Sequence, residues 1–252
     1  MDDILTALDQ QHRELRSLLA GLDASGWRAS TPCEGWDVTD VVLHLAQTDE
    51  LAVASATGRF DEALEVLGRG LTGIGSVDDG AAALVARDRA ELDDAEVLER
   101  WERGTRRLVE VLRGVDPHRR VTWVAGQLTT RTLATTRLAE AWIHTTDVAA
   151  ALGVALRPTD RLRHVARLAW RTLPYAFSRA GRSLAGPVVF ELRGPDGDVW
   201  SFLPDEPAAT TVRGDALDLC LVAGRRLDPS AAGLRAEGPD ADAVLALVRT
   251  YA

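Results

Sequence analysis

Apolar residues recur at helical spacing over the first 22 positions, where Ile4, Leu5, Leu8, Leu15, Leu18 and Leu19 share one face. Gly21 and the polar stretch after it end that helix. Ser30-Thr31-Pro32 and Gly35 mark a loop. Asp37 stands where a second helix needs a cap, with Asp40 three residues later in capping-box fashion. Val38, Val41, Val42, Leu45, Leu51 and Val53 supply that helix with an apolar stripe, and His44 is embedded in it. Between 58 and 115, helical patterns are interrupted by glycines from Gly68 to Gly75 and at Gly80. Leu98–Leu112 mixes both signs of charge with apolar residues at helical spacing, as a half-solvated helix does. Pro117–Thr130 reads as irregular, with Val121, Trp123 and Val124 forming a short strand or a packed loop. A long helix is predicted from about Thr130 to Leu152, ended by Gly153, and another from about Thr159 to Ser178.

After Gly186 the period changes. Pro187–Arg193 reads as a strand, Gly194-Pro195-Asp196-Gly197 as a turn and Val199–Leu203 as a returning strand, which together predict a hairpin. Thr210–Arg213 is a candidate third strand and Leu234–Glu237 a fourth, with helices at Asp215–Ala223 and Ala241–Tyr251. Helices first and strands later give an α+β chain of two modules, a helical bundle over 1–158 and a small α+β domain with a leading helix over 159–252.

Composition narrows the function. The net charge of −9 and the absence of a dense Arg tract argue against nucleic acid as partner, because phosphate binding needs a positive field. No apolar run approaches the roughly 20 residues that span a bilayer, so no membrane role is expected. The acidic opening Met1-Asp2-Asp3 lacks the basic region of a signal peptide, and cytoplasm is the expected compartment. Cys33 and Cys220 are far apart and form no CxxC pair; Cys33 is a loop cysteine weighed as nucleophile against a plain structural role. All 29 basic residues are arginine, and asparagine is absent too, a usage expected of a very GC-rich genome. Without lysine there is no Schiff base and no P-loop.

The strongest local signal is Arg137-Leu138-Ala139-Glu140-Ala141-Trp142-Ile143-His144-Thr145-Thr146-Asp147. On a helix Glu140 and His144 are i and i+4, one turn apart on one face, where a carboxylate and an imidazole can grip one divalent cation. His44 on the second helix is the candidate third ligand. Three protein ligands with one position open to water make a catalytic rather than a closed structural arrangement. A hydrogen-bonded Glu–His pair is the competing reading of the same spacing.

Thr31-Pro32-Cys33-Glu34-Gly35-Trp36-Asp37-Val38-Thr39-Asp40-Val41-Val42-Leu43-His44-Leu45, taken with Glu140, His144, Asp147 and Gly153, resembles the DinB-like superfamily, and more narrowly its mycothiol-dependent maleylpyruvate isomerase-like branch. Asp160–Arg167 with Pro174-Tyr175-Ala176-Phe177 is similar to an actinobacterial subfamily known only as metal-binding. The likeness spans essentially the whole chain. It implies an N-terminal DinB-like up-down four-helix bundle with a metal at one end of its core, His44, Glu140 and His144 as ligands, and a small sterol-carrier-like C-terminal domain. It also implies mycothiol as a thiol cofactor, which an actinobacterial host, fitting the arginine-only composition, would supply.

Around this set, Asp147 is a candidate to orient a ligand imidazole, Arg137 to bind a substrate carboxylate or pair with an acid, and His12 to serve as general base or as a core histidine. Gln47 and Thr48 are candidate pocket residues one turn beyond His44. Arg225 and Arg226 are candidates to reach the polar thiol cofactor. The leading expectation is a metal-dependent isomerase or thiol S-transferase acting on a small electrophile. A thiol-independent lyase, hydrolase or cyclase is the alternative, and a non-catalytic metal- or ligand-binding protein the third reading. Two imidazoles and a carboxylate suit zinc first, with iron, nickel or manganese taking the same ligand types. The partner expected is a small-molecule substrate, and a homodimer is the assembly considered.

Overall fold

The computed structural model describes residues 1–70, 75–124 and 126–250. The chain divides into two compact units, Met1–Leu156 and Arg157–Ala252. In the first, four long helices form the bundle: α1 (Asp2–Leu19), α3 (Val38–Ala56), α6 (Asp94–Arg113) and α7 (Thr130–Ala151). Shorter helices α2 (Ala24–Trp27), α4 (Phe60–Gly68) and α5 (Val77–Arg89) connect them. α1 packs on α6 and α7, and α3 packs on the same two. The capping box at Asp37 and Asp40 is formed on both sides, and Asp93 with Glu96 repeats it at the start of α6.

The bundle core falls into two apolar clusters. Ile4, Leu5 and Leu8 of α1, Ala52 and Ala56 of α3, Leu108 and Leu112 of α6 and Leu133, Ala134 and Leu138 of α7 make one. Leu15 and Leu19, Val38 to Ala46 in part, Val97, Trp101 and Val148 make the other. Between them every helix contributes buried polar groups: Gln11 and His12, Gln47 and Asp49, Thr105, and Arg137, His144, Thr145 and Asp147. Polar atoms at that depth are costly unless paired, and Gln11 Oε1 has no hydrogen-bond partner among the described residues, so this belt is where chemistry is expected.

Several element expectations are corrected. The first helix stops at Leu19, with Gly21 at φ 77°, and the four-residue α2 lies beyond it. Gly80 does not punctuate; it lies within α5, N-capped by the Ser76 side chain. Residues 71–74 of the expected glycine-rich break lie outside the described residues. The Pro117–Thr130 segment is a two-stranded antiparallel hairpin, β1 (Arg120–Trp123) with β2 (Gly126–Thr129). Val124 is in its turn, not in a strand. Val121, Trp123 and Leu128 lie against the first apolar cluster, and Ser55 Oγ of α3 donates to the Thr122 carbonyl at 2.5 Å.

The second unit is a four-stranded sheet with helices. α8 (Leu162–Arg179), which carries Pro174 in its interior, precedes β3 (Val188–Arg193), β4 (Val199–Phe202), β5 (Thr210–Asp215), α9 (Ala216–Ala223), β6 (Arg235–Glu237) and α10 (Ala241–Leu247). The order is β4-β3-β5-β6. The expected β3–β4 hairpin is present, and β5 joins β3 in parallel through a crossover. Exposed cross-strand pairs, Arg193 with Asp215 and Arg213 with Glu191, lie along that parallel pairing. The closing helix ends at Leu247, where Val248 leaves the helical conformation at φ −57° and ψ 130°, and the expected end at Tyr251 lies outside the described residues. Among the described residues no helix is long and apolar enough to cross a membrane.

Candidate metal centre

The loop before α3 is wound tightly. Thr31 N–H donates to the Trp36 carbonyl at 3.0 Å, Trp36 N–H to the Cys33 carbonyl at 3.0 Å, and Thr31 Oγ accepts from Cys33 N–H at 3.2 Å. Gly35 closes the turn at φ 80°, a left-handed conformation that favours glycine. The turn seats Trp36 beside His44, with ring centroids 5.1 Å apart, and Cys33 beside His144 and Asp147.

His44 projects from α3, and Glu140 and His144 from α7 one turn apart. Glu140 Oε2 is 3.7 Å from His44 Nε2 and 3.8 Å from His144 Nε2, and the three donor atoms all lie within 4.8 Å of one another. The two imidazoles meet edge to face at 5.1 Å. Ligands of a tetrahedral cation held at about 2.1 Å stand about 3.4 Å apart, so the two Glu140–imidazole distances are within a few tenths of an ångström of that spacing. His144 Nδ1 faces the other way, 3.0 Å from Asp147 Oδ2, which leaves Nε2 for the centre. The His44 and Glu140 side chains keep 12% exposure each, so the cluster opens to solvent on one side. The residues present fit a divalent cation.

The electrostatics are uneven. Burial drags His144 down, but the Asp147 hydrogen bond, the Cys33 contact and the Glu140 and Asp147 charges outweigh it and lift His144 to about 9. Burial also lowers His44, and the nearby Glu140 only partly restores it. Glu140 itself is pushed up by burial but ends below the usual carboxylate range, because His44, Arg137 and His144 surround it.

Arg137 is not free for a substrate carboxylate. It is 2% exposed, its Nε donates to Asp49 Oδ1 at 2.9 Å and its Nη2 to Thr48 Oγ at 2.8 Å. Thr48 Oγ in turn donates to the His44 carbonyl at 2.8 Å. This clamp ties α7 to α3 one turn from the ligand atoms. Asp49, which sequence reasoning passed over, is raised to about 6 by burial, with Arg137 pulling it back. Gln47 turns away from the cluster, donating to Leu84 O and Asp88. His12 is buried edge-on against Trp101 at 6.1 Å and lowered to about 3 by burial and by the charges of Arg137 and Arg16. Arg225 and Arg226 belong to the second unit, past the end of α9. Arg225 is exposed at φ 61°, and Arg226 donates to the Gly224 carbonyl at 2.9 Å.

Residues 8–149, which carry the whole cluster, match the family described as mycothiol maleylpyruvate isomerase N-terminal domain. The chain belongs to that family. Two relatives from Mycobacterium tuberculosis, of strains CDC 1551 / Oshkosh and ATCC 25618 / H37Rv, are each described as an uncharacterized protein. Both are 36% identical over 240 residues, covering 95% of this chain and 91% of theirs. Among solved structures, a mycothiol-dependent maleylpyruvate isomerase is similar with a TM-score of 0.63 at 17% identity, over 95% of both chains. A histidine-to-alanine mutant described under the same name is similar at 0.61 and 17%, with the same coverage. At such identity the likeness speaks for the fold, which this member of the maleylpyruvate isomerase family shares across nearly its full length.

Proposed function

We propose that this chain is a metal-dependent enzyme of the maleylpyruvate isomerase kind, in which His44, Glu140 and His144 hold one divalent cation, zinc foremost. Mycothiol is the proposed co-substrate and a small electrophilic metabolite the substrate. The observation that carries the reading is the convergence of three donor atoms from α3 and α7 at the opening of an otherwise buried polar belt. When bound, a divalent cation supplies Lewis acidity and favours thiolate over thiol at neutral pH. The residues of the chain do the rest. Asp147 fixes the ring of His144, Arg137 holds α7 to α3 and places positive charge near Glu140, and Trp36 walls off one side of His44. Mycothiol, when bound, would supply the nucleophilic sulfur for addition across an electrophilic double bond of the substrate, which an isomerase would expel again and an S-transferase would retain.

The test is metal content by elemental analysis of wild type beside His44→Ala, Glu140→Ala and His144→Ala. About one cation per chain in wild type and little in the variants supports the triad. Equal retention by all three variants, or none in wild type after reconstitution, rejects it. Turnover of electrophiles with and without mycothiol then separates a thiol-dependent enzyme from a lyase, hydrolase or cyclase that uses the cation alone.

A further inference from the structure

We propose that Cys33 is a positioning residue of the metal centre, whose thiol holds the Asp147 carboxylate in the orientation that aims His144 Nε2 at the cation. The inference rests on the metal reading above. Cys33 Sγ donates to Asp147 Oδ2 at 3.2 Å, and that same oxygen lies 3.0 Å from His144 Nδ1. Cys33 Sγ is itself 3.8 Å from His144 Nδ1, so thiol, carboxylate and ring close a triangle. Asp147 is 1% exposed and His144 6%, while Cys33 is half-buried at the loop.

A carboxylate on a single methylene turns about its last torsion, a broad and nearly two-fold one. One donor from its own helix, three residues back, fixes one contact on Oδ2, and the Cys33 thiol adds a contact to the same oxygen from a different segment. The loop 31–36 is built to deliver that second donor, because its turn hydrogen bonds engage the Cys33 backbone at both N–H and C=O. The chain thereby links the capped start of α3 to the ligand face of α7 through a side chain that is not itself required as a ligand. Cys33 sits on the Nδ1 side of the imidazole, whereas His44 and Glu140 sit on the Nε2 side. That placement makes it a support for the centre rather than a nucleophile within it. A thiol is a weak donor, so the expected effect lies at or below the low end of the tenfold to hundredfold range for groups that orient metal ligands.

The test compares Cys33→Ala and Cys33→Ser with wild type in two arms. In metal-free protein, the imidazole Nδ1–H resonance of His144, assigned by its loss in His144→Gln, should be retained in Cys33→Ser. In Cys33→Ala it should move and exchange faster with water. In the second arm, cobalt(II) titration should show binding weakened about threefold to tenfold in Cys33→Ala and restored in Cys33→Ser. A thiolate-to-cobalt charge-transfer band should be absent throughout. An unchanged Nδ1–H resonance in Cys33→Ala overturns the proposal, as does a charge-transfer band that Cys33→Ser abolishes, since that would make the sulfur a ligand. Failure of wild type to take up cobalt or zinc overturns the metal reading instead, and the Nδ1–H arm still decides whether Cys33 holds the ring.

Discussion

Two buried histidines in one polar belt are driven in opposite directions. His144, on α7, is lifted to about 9, and His12, on α1, is lowered to about 3. Burial opposes protonation in both. The difference is the company: His144 faces Asp147, Glu140 and the Cys33 thiol, whereas His12 faces Trp101 edge-on and the positive charges of Arg137 and Arg16. Depth alone therefore says nothing about whether a core histidine is built for chemistry. Partners on its second nitrogen do. His12 is poorly placed to act as an acid and is shaped as a neutral member of the core, while His144 is held with one nitrogen engaged and the other presented.

The largest way to break this contrast is to remove the charge that separates the two sides. Arg137→Met leaves Asp49 buried without its partner and should cost about 3–5 kcal/mol in chemical denaturation. The double variant Arg137→Met/Asp49→Leu should recover most of that loss, and strict additivity of the two single changes would reject the clamp. Next, Asp147→Asn takes the carboxylate from behind His144 and should weaken metal binding about tenfold to a hundredfold, read by competition with a chelator.

The pH response sharpens the comparison further. For His12 the folded value is depressed, so the unfolded state binds the extra proton. Stability of metal-free protein should fall as pH drops below about 6.5, by up to about 1.4 kcal/mol per pH unit. His12→Leu should flatten that limb. For His144 the sign reverses: its contribution is full below about 6.5 and is lost as pH rises through about 9. A stability profile of metal-free His12→Leu that keeps the acid limb of wild type would contradict the assignment. The smallest effect expected is from Thr48→Val, which removes one acceptor from Arg137 and should cost about 1 kcal/mol in thermal unfolding.

Elements announced by local chemistry were legible in the chain. Asp37 with Asp40 marks the start of α3, and Gly194-Pro195-Asp196-Gly197 marks the β3–β4 turn, because caps and turns are made by the residues that flank them. The spacing of Glu140, His144 and Asp147 likewise puts them along one side of α7. The β1–β2 hairpin was not legible, since its turn begins on Val124, a residue that signals no turn, although Gly126 has a left-handed φ of 107°. Gly80 misled for the converse reason: the Ser76 cap and the helix it starts override one glycine. Pairings across helices were hidden as well. Nothing near Asp49 in sequence points to Arg137, and nothing near Cys33 points to Asp147; each pair exists only after α3 and α7 pack. The signal available in hindsight is a charged residue at a position the apolar stripe should fill, as Asp49 is between Leu45 and Val53.

The belt between the two apolar clusters also bears on how the bundle comes apart. Each of the four long helices runs through both clusters, and the polar belt between the clusters carries the buried Arg137–Asp49 pair that joins α7 to α3. Such a bundle can open by sub-global fraying from one end while the other stays closed. Amide exchange of α1 and α7 would then report two protection levels along a single helix, with the step near His12 and Arg137, and a ligand that ties α3 to α7 would merge them into one cooperative unit.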